Sequence, residues 1–189
     1  MSATPEQQIA MLQGIYDHTG SVISAVGPDD LGKPTPCTEW DVRALLDHMI
    51  GAVNGIAAAV QGSAPEGEPT EITSGDDAHE AFTSAAQASI AAWSADGVFD
   101  GPVNLGAAMP AEAAMGVNML DTLTHSWDLA EAIGHDRSMD PALAEAALGA
   151  SRMIISDDFR PGRFGPEVEI AAAAPAHDRL AAFLGRHPS

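Results

Sequence analysis

The stretch Pro110–Gly134, PAEAAMGVNMLDTLTHSWDLAEAIG, decides the fold. It reads as one long helix, opened at Pro110 and closed at Gly134, the ends where those two residues are favoured. Within it Asp121 and His125 are four residues apart. A helix therefore places them on one face, with Cβ atoms about 5–6 Å apart. A carboxylate and an imidazole at that spacing can grip one divalent metal ion from successive turns. The same spacing also fits a solvated i,i+4 pair worth a few tenths of a kcal/mol, with Leu120, Leu123 and Trp127 packing inward instead. Asp128, one turn beyond His125, is placed to orient that imidazole by accepting its other N–H.

Three long helices precede this one. The first runs from Pro5 to Val26, with Thr4 as N-cap, Gln7 completing a capping box, and Gly27-Pro28 ending it. Ile9, Leu12, Ile15, Val22 and Ile23 supply its apolar spacing. The second spans Glu39–Val60, capped by Thr38, with Glu39 and Asp41 in the first turn where the helix dipole favours negative charge. Leu45, Met49, Ala52 and Ile56 form its buried stripe, and His48 lies within a turn of Leu45 and Ala52, facing inward or along the edge. A Pro/Gly/Glu-rich connector, Gly62–Gly75, leads to a third helix over Asp76–Ala95, packed through Ala78, Phe82, Ala85, Ile90 and Trp93.

An irregular segment, Gly97–Pro110, contains an extended piece around Val103–Leu105. After the fourth helix a fifth covers Pro141–Ile155 behind the cap Asp140, followed by an extended candidate at Val168–Ile170 and a closing helix at Pro175–Leu184. The pattern indicates an all-α four-helix bundle over residues 1–156 with an extra helix, and a C-terminal extension, 157–189, packed on it. Bundles build metal sites between facing helices, so His48 becomes the third candidate donor beside Asp121 and His125. Two histidines and one carboxylate suit Zn²⁺, Ni²⁺ or Fe²⁺ better than Ca²⁺ or Mg²⁺ and leave coordination positions open. A core histidine satisfied by a backbone carbonyl is the alternative role for His48. His18, His79, His135, His177 and His187 sit in polar or terminal settings and read as surface groups.

Composition narrows the function. The net charge is −19 and Lys33 is the sole lysine, so phosphate backbones and anionic lipid are repelled and nucleic-acid or membrane-surface binding is excluded. Abundant alanine with 5% aromatic residues favours closely approaching helices over a β-sandwich. The lone Cys37 rules out an intrachain disulfide and a multi-cysteine metal site. The N-terminus has no signal-peptide pattern, and the weakly polar run Ile50–Val60 is too short to span a bilayer, so a cytoplasmic protein is expected. Cys37, near the start of the second helix, reads either as a reactive thiol or as a small buried loop residue. Trp40 and Trp127 are pocket walls or packing residues. An Ala-rich bundle is compatible with a homodimer, though no residue pattern marks an interface.

Three separated segments, Pro34–Leu46 (PTPCTEWDVRALL) with His48, Asp121–Gly134 (DTLTHSWDLAEAIG) and Phe164–Arg186, resemble one family in order across nearly the whole chain. It is the actinobacterial DinB-like group related to the N-terminal domain of mycothiol-dependent maleylpyruvate isomerase. The resemblance implies a four-helix bundle with a divalent metal held by histidine, an acidic residue and histidine, which fall here on His48, Asp121 and His125. It further implies that the metal activates a low-molecular-weight thiol such as mycothiol for isomerisation or thiol transfer. The chain departs from the isomerase in carrying Asp121 where that enzyme has Glu, one methylene longer, and in the segment after the fifth helix, about 30 residues here against a further C-terminal domain there. A mycothiol-type ligand carries a carboxylate and hydroxyls, for which Arg43, Arg160 and Arg163 are the candidate cations, each equally suited to a surface ion pair. The expected function is a metal-dependent thiol transferase or isomerase, with metal-activated thiol or hydroxide as nucleophile on a small electrophile. The alternative is a non-catalytic metal or small-ligand binding or sensor domain.

Overall fold

Thr4 starts the first helix, α1 (Pro5–Ile23), through the expected capping box: its hydroxyl accepts the Gln7 N–H at 3.3 Å, and the Gln7 side chain accepts the Thr4 N–H at 2.9 Å. The computed structural model describes residues 3–38, 40–63, 72–158 and 160–188, and most of the expected 62–75 connector lies outside them. The second helix, α2 (Val42–Val60), begins later than Thr38 would place it. Asp41 is its N-cap, accepting the Ala44 N–H at 2.9 Å. The reason is tertiary: Pro34 and Asp41 form an antiparallel bridge, and the Val42 and Arg43 N–H groups donate back to the carbonyls of Lys33 and Leu31. Thr38, Trp40 and Asp41 are thereby held out of the helix, and Glu39, expected in its first turn, lies outside the described residues.

Helix α3 (Gly75–Trp93) follows from the N-cap Ser74. Its first residue can only be glycine, because a Cβ on Gly75 would stand 2.1 Å from the Val26 carbonyl oxygen. Then a two-stranded antiparallel hairpin pairs β1 (Pro102–Asn104) with β2 (Ala108–Pro110), Val103 opposite Met109. The extended piece around Val103 was legible in sequence, but its partner strand was not. Helix α4 (Ala111–Ile133) closes on Gly134 at φ 69°, with the His135 N–H donating to the Ala130 carbonyl, a Schellman ending that suits glycine.

The packing is a ring: α1 touches α3 and α4, and α2 touches α3 and α4. Leu12, Leu45, Leu46, Met49, Phe82, Trp93 and Met115 are all buried within it. This is the all-α four-helix bundle expected from the sequence. Among the described residues no helix is long and apolar enough to cross a membrane.

The chain divides into two compact units, Met1–His135 and Asp136–Ser189. The second contains α5 (Pro141–Ile154), capped by Asp140, packed on α6 (Ala176–Phe183). The extended candidate at Val168–Ile170 forms no strand; the Val168 N–H makes a single backbone bond to the Ala182 carbonyl instead of a ladder. Arg160 is buried here, donating to the carbonyls of Gly165 (3.0 Å) and Phe183 (2.8 Å) with its guanidinium over the Phe183 ring.

Candidate metal centre

Helix α4 is buried at every residue from 122 to 130, although five of these nine side chains are polar. Thr122 and Thr124 are satisfied locally, donating to the carbonyls of Asn118 and Leu120 one turn earlier. Asn118 belongs to a buried triangle: the Tyr16 hydroxyl donates to Asn118 Oδ1 at 3.0 Å and lies 2.8 Å from Ser89 Oγ, and Asn118 Nδ2 donates to Ser89 Oγ at 3.4 Å. The triangle ties α1, α3 and α4 together one turn before Asp121. Burial pushes the Tyr16 phenol up to about 12, its hydrogen bonds to Ser89 and Asn118 oppose this, and the Asp121 carboxylate adds a smaller upward push. Nothing in the periodicity of the sequence marks this polar triangle, because each member stands alone on its own helix.

On this anchored helix Asp121 and His125 share a face, as their spacing predicts, and α2 brings His48 to them. Asp121 Oδ1 lies 3.6 Å from His48 Nε2 and 3.7 Å from His125 Nε2, and the three donor atoms lie within 4.8 Å of one another. His125 is nearly buried, whereas the side chains of His48 and Asp121 keep 32% and 29% exposure, so the cluster opens to solvent on one side. The two imidazoles meet edge to face at 4.8 Å between ring centroids.

His125 is held from behind. Its Nδ1 lies 3.1 Å from Oδ2 of the fully buried Asp128. A carboxylate there only accepts, which puts a proton on Nδ1; in the neutral ring Nε2 then carries the lone pair, facing Asp121. The same Oδ2 accepts the Cys37 thiol at 3.2 Å, and Cys37 Sγ stands 3.8 Å from His125 Nδ1. The Cys37 loop is itself fixed: the Thr35 hydroxyl reaches the carbonyls of Cys37 and Trp40 at 3.0 and 2.9 Å. It lays the Trp40 ring over His48, with centroids 4.4 Å apart, and 5.6 Å from His125. Trp40 is thus a wall of the cluster.

Within the first unit the remaining sequence candidates, His18, His79, His135 and Arg43, are not among the three donors; His177, His187, Arg160 and Arg163 belong to the second unit. His79, His135 and His187 are exposed, and His18 and His177 are half-buried. Arg160 is consumed by carbonyls in the second unit, Arg163 is exposed, and exposed Arg43 acts on Asp47, opposing the upward push that burial gives that carboxyl. A groove of about 410 Å³ lined by Phe99, Met109, Pro110 and Glu112 contains none of the three donors.

The three residues fit a divalent cation. Ligands about 2.1 Å from a tetrahedral ion stand about 3.4 Å apart, close to the separations from Asp121 Oδ1. Moreover, His48 Nε2 is buried without a hydrogen-bond partner among the described residues, although it points at the other two donors. A buried ring nitrogen left unpaired costs about 1–3 kcal/mol, which a bound cation would relieve.

Residues 13–130 match the model of a family described as the mycothiol maleylpyruvate isomerase N-terminal domain. Two uncharacterized proteins of Mycobacterium tuberculosis, from strains CDC 1551 / Oshkosh and ATCC 25618 / H37Rv, are each 34% identical to the chain over 178 residues, covering 92% of it and 94% of the relative. No solved structure matches.

Proposed function

The chain belongs to the mycothiol maleylpyruvate isomerase N-terminal domain family, and we propose that it is a metal-dependent enzyme in which His48, Asp121 and His125 hold one divalent cation and a low-molecular-weight thiol of the mycothiol type reacts with a small electrophile. Zinc is the first choice on donor chemistry, with nickel and iron as alternatives. The observation that carries the reading is the orphaned His48 Nε2 aimed at two further donors on the facing helix. When bound, such a cation lowers the pKa of a coordinated thiol or water and so supplies a nucleophile at neutral pH.

The residues of the chain do the rest. Asp128 keeps the His125 proton on Nδ1, so that Nε2 offers its lone pair without rearrangement. Asp121 supplies the carboxylate between the two imidazoles. Trp40 covers the His48 ring and excludes water from that side, while the exposed edges of His48 and Asp121 leave an approach for thiol and electrophile. A cytoplasmic location, expected from the sequence, would keep such a thiol reduced. Three ligands leave positions open for substrate, as a catalytic site requires.

Titration calorimetry with mycothiol tests this reading. Zinc-loaded protein should bind the thiol, and protein stripped by a chelator should not. Equal affinity with and without metal would contradict the proposed role of the cation. Metal-dependent thiol binding with no turnover of any small electrophile would reduce the protein to a binding module.

A further inference from the structure

One oxygen, Asp128 Oδ2, takes two hydrogen bonds from parts of the chain that lie far apart in sequence: the Cys37 thiol from the loop before α2, and His125 Nδ1 from α4. We propose that Cys37 and Asp128 are positioning residues for the His48–Asp121–His125 site, with Cys37 acting through Asp128 and not as a metal ligand or nucleophile. The proposal rests on the metal reading above and names what organises that site.

The geometry separates the two sides of the His125 ring. Its Nε2 faces Asp121, whereas Cys37 Sγ stands beside Nδ1, on the opposite edge of the imidazole. The thiol proton is directed at Asp128. Asp128 has no solvent exposure, so its charge must be met by donors inside the protein, and the Cys37 and His125 donors fall on the same oxygen. The carboxylate therefore does two things together. It sets the His125 tautomer, and it latches the Thr35–Trp40 loop to α4 through Cys37. That latch matters to the site because the same loop carries Trp40, which lies against both imidazoles. Removing the thiol takes away one tie between this loop and α4, while the Thr35 and backbone bonds remain; removing the carboxylate also frees the His125 proton to move to Nε2, where it blocks the lone pair.

Two measurements on the full chain decide the matter. In metal-free, ¹⁵N-labelled protein, long-range ¹H–¹⁵N spectra should show His125 protonated at Nδ1 in wild type and in Cys37→Ser. The Nε2–H form should be populated in Asp128→Ala, and to an intermediate extent in Asp128→Asn, which keeps an acceptor oxygen. A wild-type Nε2–H tautomer, or one unchanged in both Asp128 variants, would overturn the role of Asp128. In cobalt titrations, Asp128→Ala should weaken binding by about 10–100-fold, as loss of such outer partners does elsewhere. Cys37→Ala should weaken it in the same direction by a smaller factor, and Cys37→Ser, which restores a donor, should recover wild-type affinity. Wild-type protein should show no sulfur-to-cobalt charge-transfer band. Such a band lost in Cys37→Ser would make Cys37 a ligand, and Cys37→Ala behaving as wild type would remove it from the site; either overturns the proposal. Should wild type take up no cobalt, the metal reading itself fails, and the tautomer spectra still decide whether Asp128 orients His125.

Discussion

His48 and His125 meet edge to face across two helices, ring planes at 80° and centroids 4.8 Å apart, with their Nε2 atoms turned toward the same Asp121 oxygen. Neutral imidazoles gain little by pointing lone pairs at a carboxylate, so the arrangement is best satisfied by a cation placed among them. Asp121→Asn keeps the volume and removes the charge. It should weaken cobalt or zinc binding by more than the roughly 10–100-fold expected of an outer partner. Competition titration against a chromophoric chelator measures this.

Trp40 lies 4.4 Å from the His48 ring, close enough for a paramagnetic ion at the site to quench its emission. Cobalt or nickel should quench part of the tryptophan fluorescence, saturating at one equivalent, and Trp40→Phe should remove most of that response. Full quenching in Trp40→Phe would place the ion near Trp93 or Trp127 instead.

Tyr16→Phe should cost about 1–2 kcal/mol, because Ser89 and Asn118 lose their shared partner in a buried setting. The phenol also has a pH signature. Folding raises its pKa to about 12 from an ordinary value near 10, so the folded protein holds this proton more tightly than the unfolded chain. Its contribution is fully present below pH 10 and is lost as pH rises through 12. Urea midpoints measured between those limits should fall more steeply for wild type than for Tyr16→Phe.

Two glycine substitutions should have opposite signs. Gly75→Ala drives a methyl to 2.1 Å from the Val26 carbonyl oxygen and should destabilise by about 1–3 kcal/mol. Gly14, exposed in the middle of α1 with open space around it, should gain about 0.5–1 kcal/mol on replacement by alanine. Chemical denaturation of both variants checks the pair.

Helices α1, α4 and α5 were legible because each carries its own punctuation: Thr4 with Gln7, Gly134 and Asp140 act within a few residues of themselves. The meeting of Asp121 with His125 was legible for the same reason, since one helix fixes both. The start of α2 was not. Thr38 and Asp41 are both good cap residues, and the choice falls to Asp41 through backbone bonds from Val42 and Arg43 to Lys33 and Leu31. Strand β2 was hidden because Ala108–Pro110 has no alternating pattern and pairs only through its neighbour. Cys37 gave a sequence signal as a residue near a helix start, but its partners, Asp128 and His125, come from α4. Only the folded loop brings them together.

Elemental analysis of protein purified without a histidine tag, comparing wild type with His48→Ala and His125→Ala, reads directly whether these residues hold a cation. Wild-type protein should carry about one equivalent of zinc, nickel or iron per chain, and both variants should lose it. Background metal in all three proteins after reconstitution would contradict the cation site.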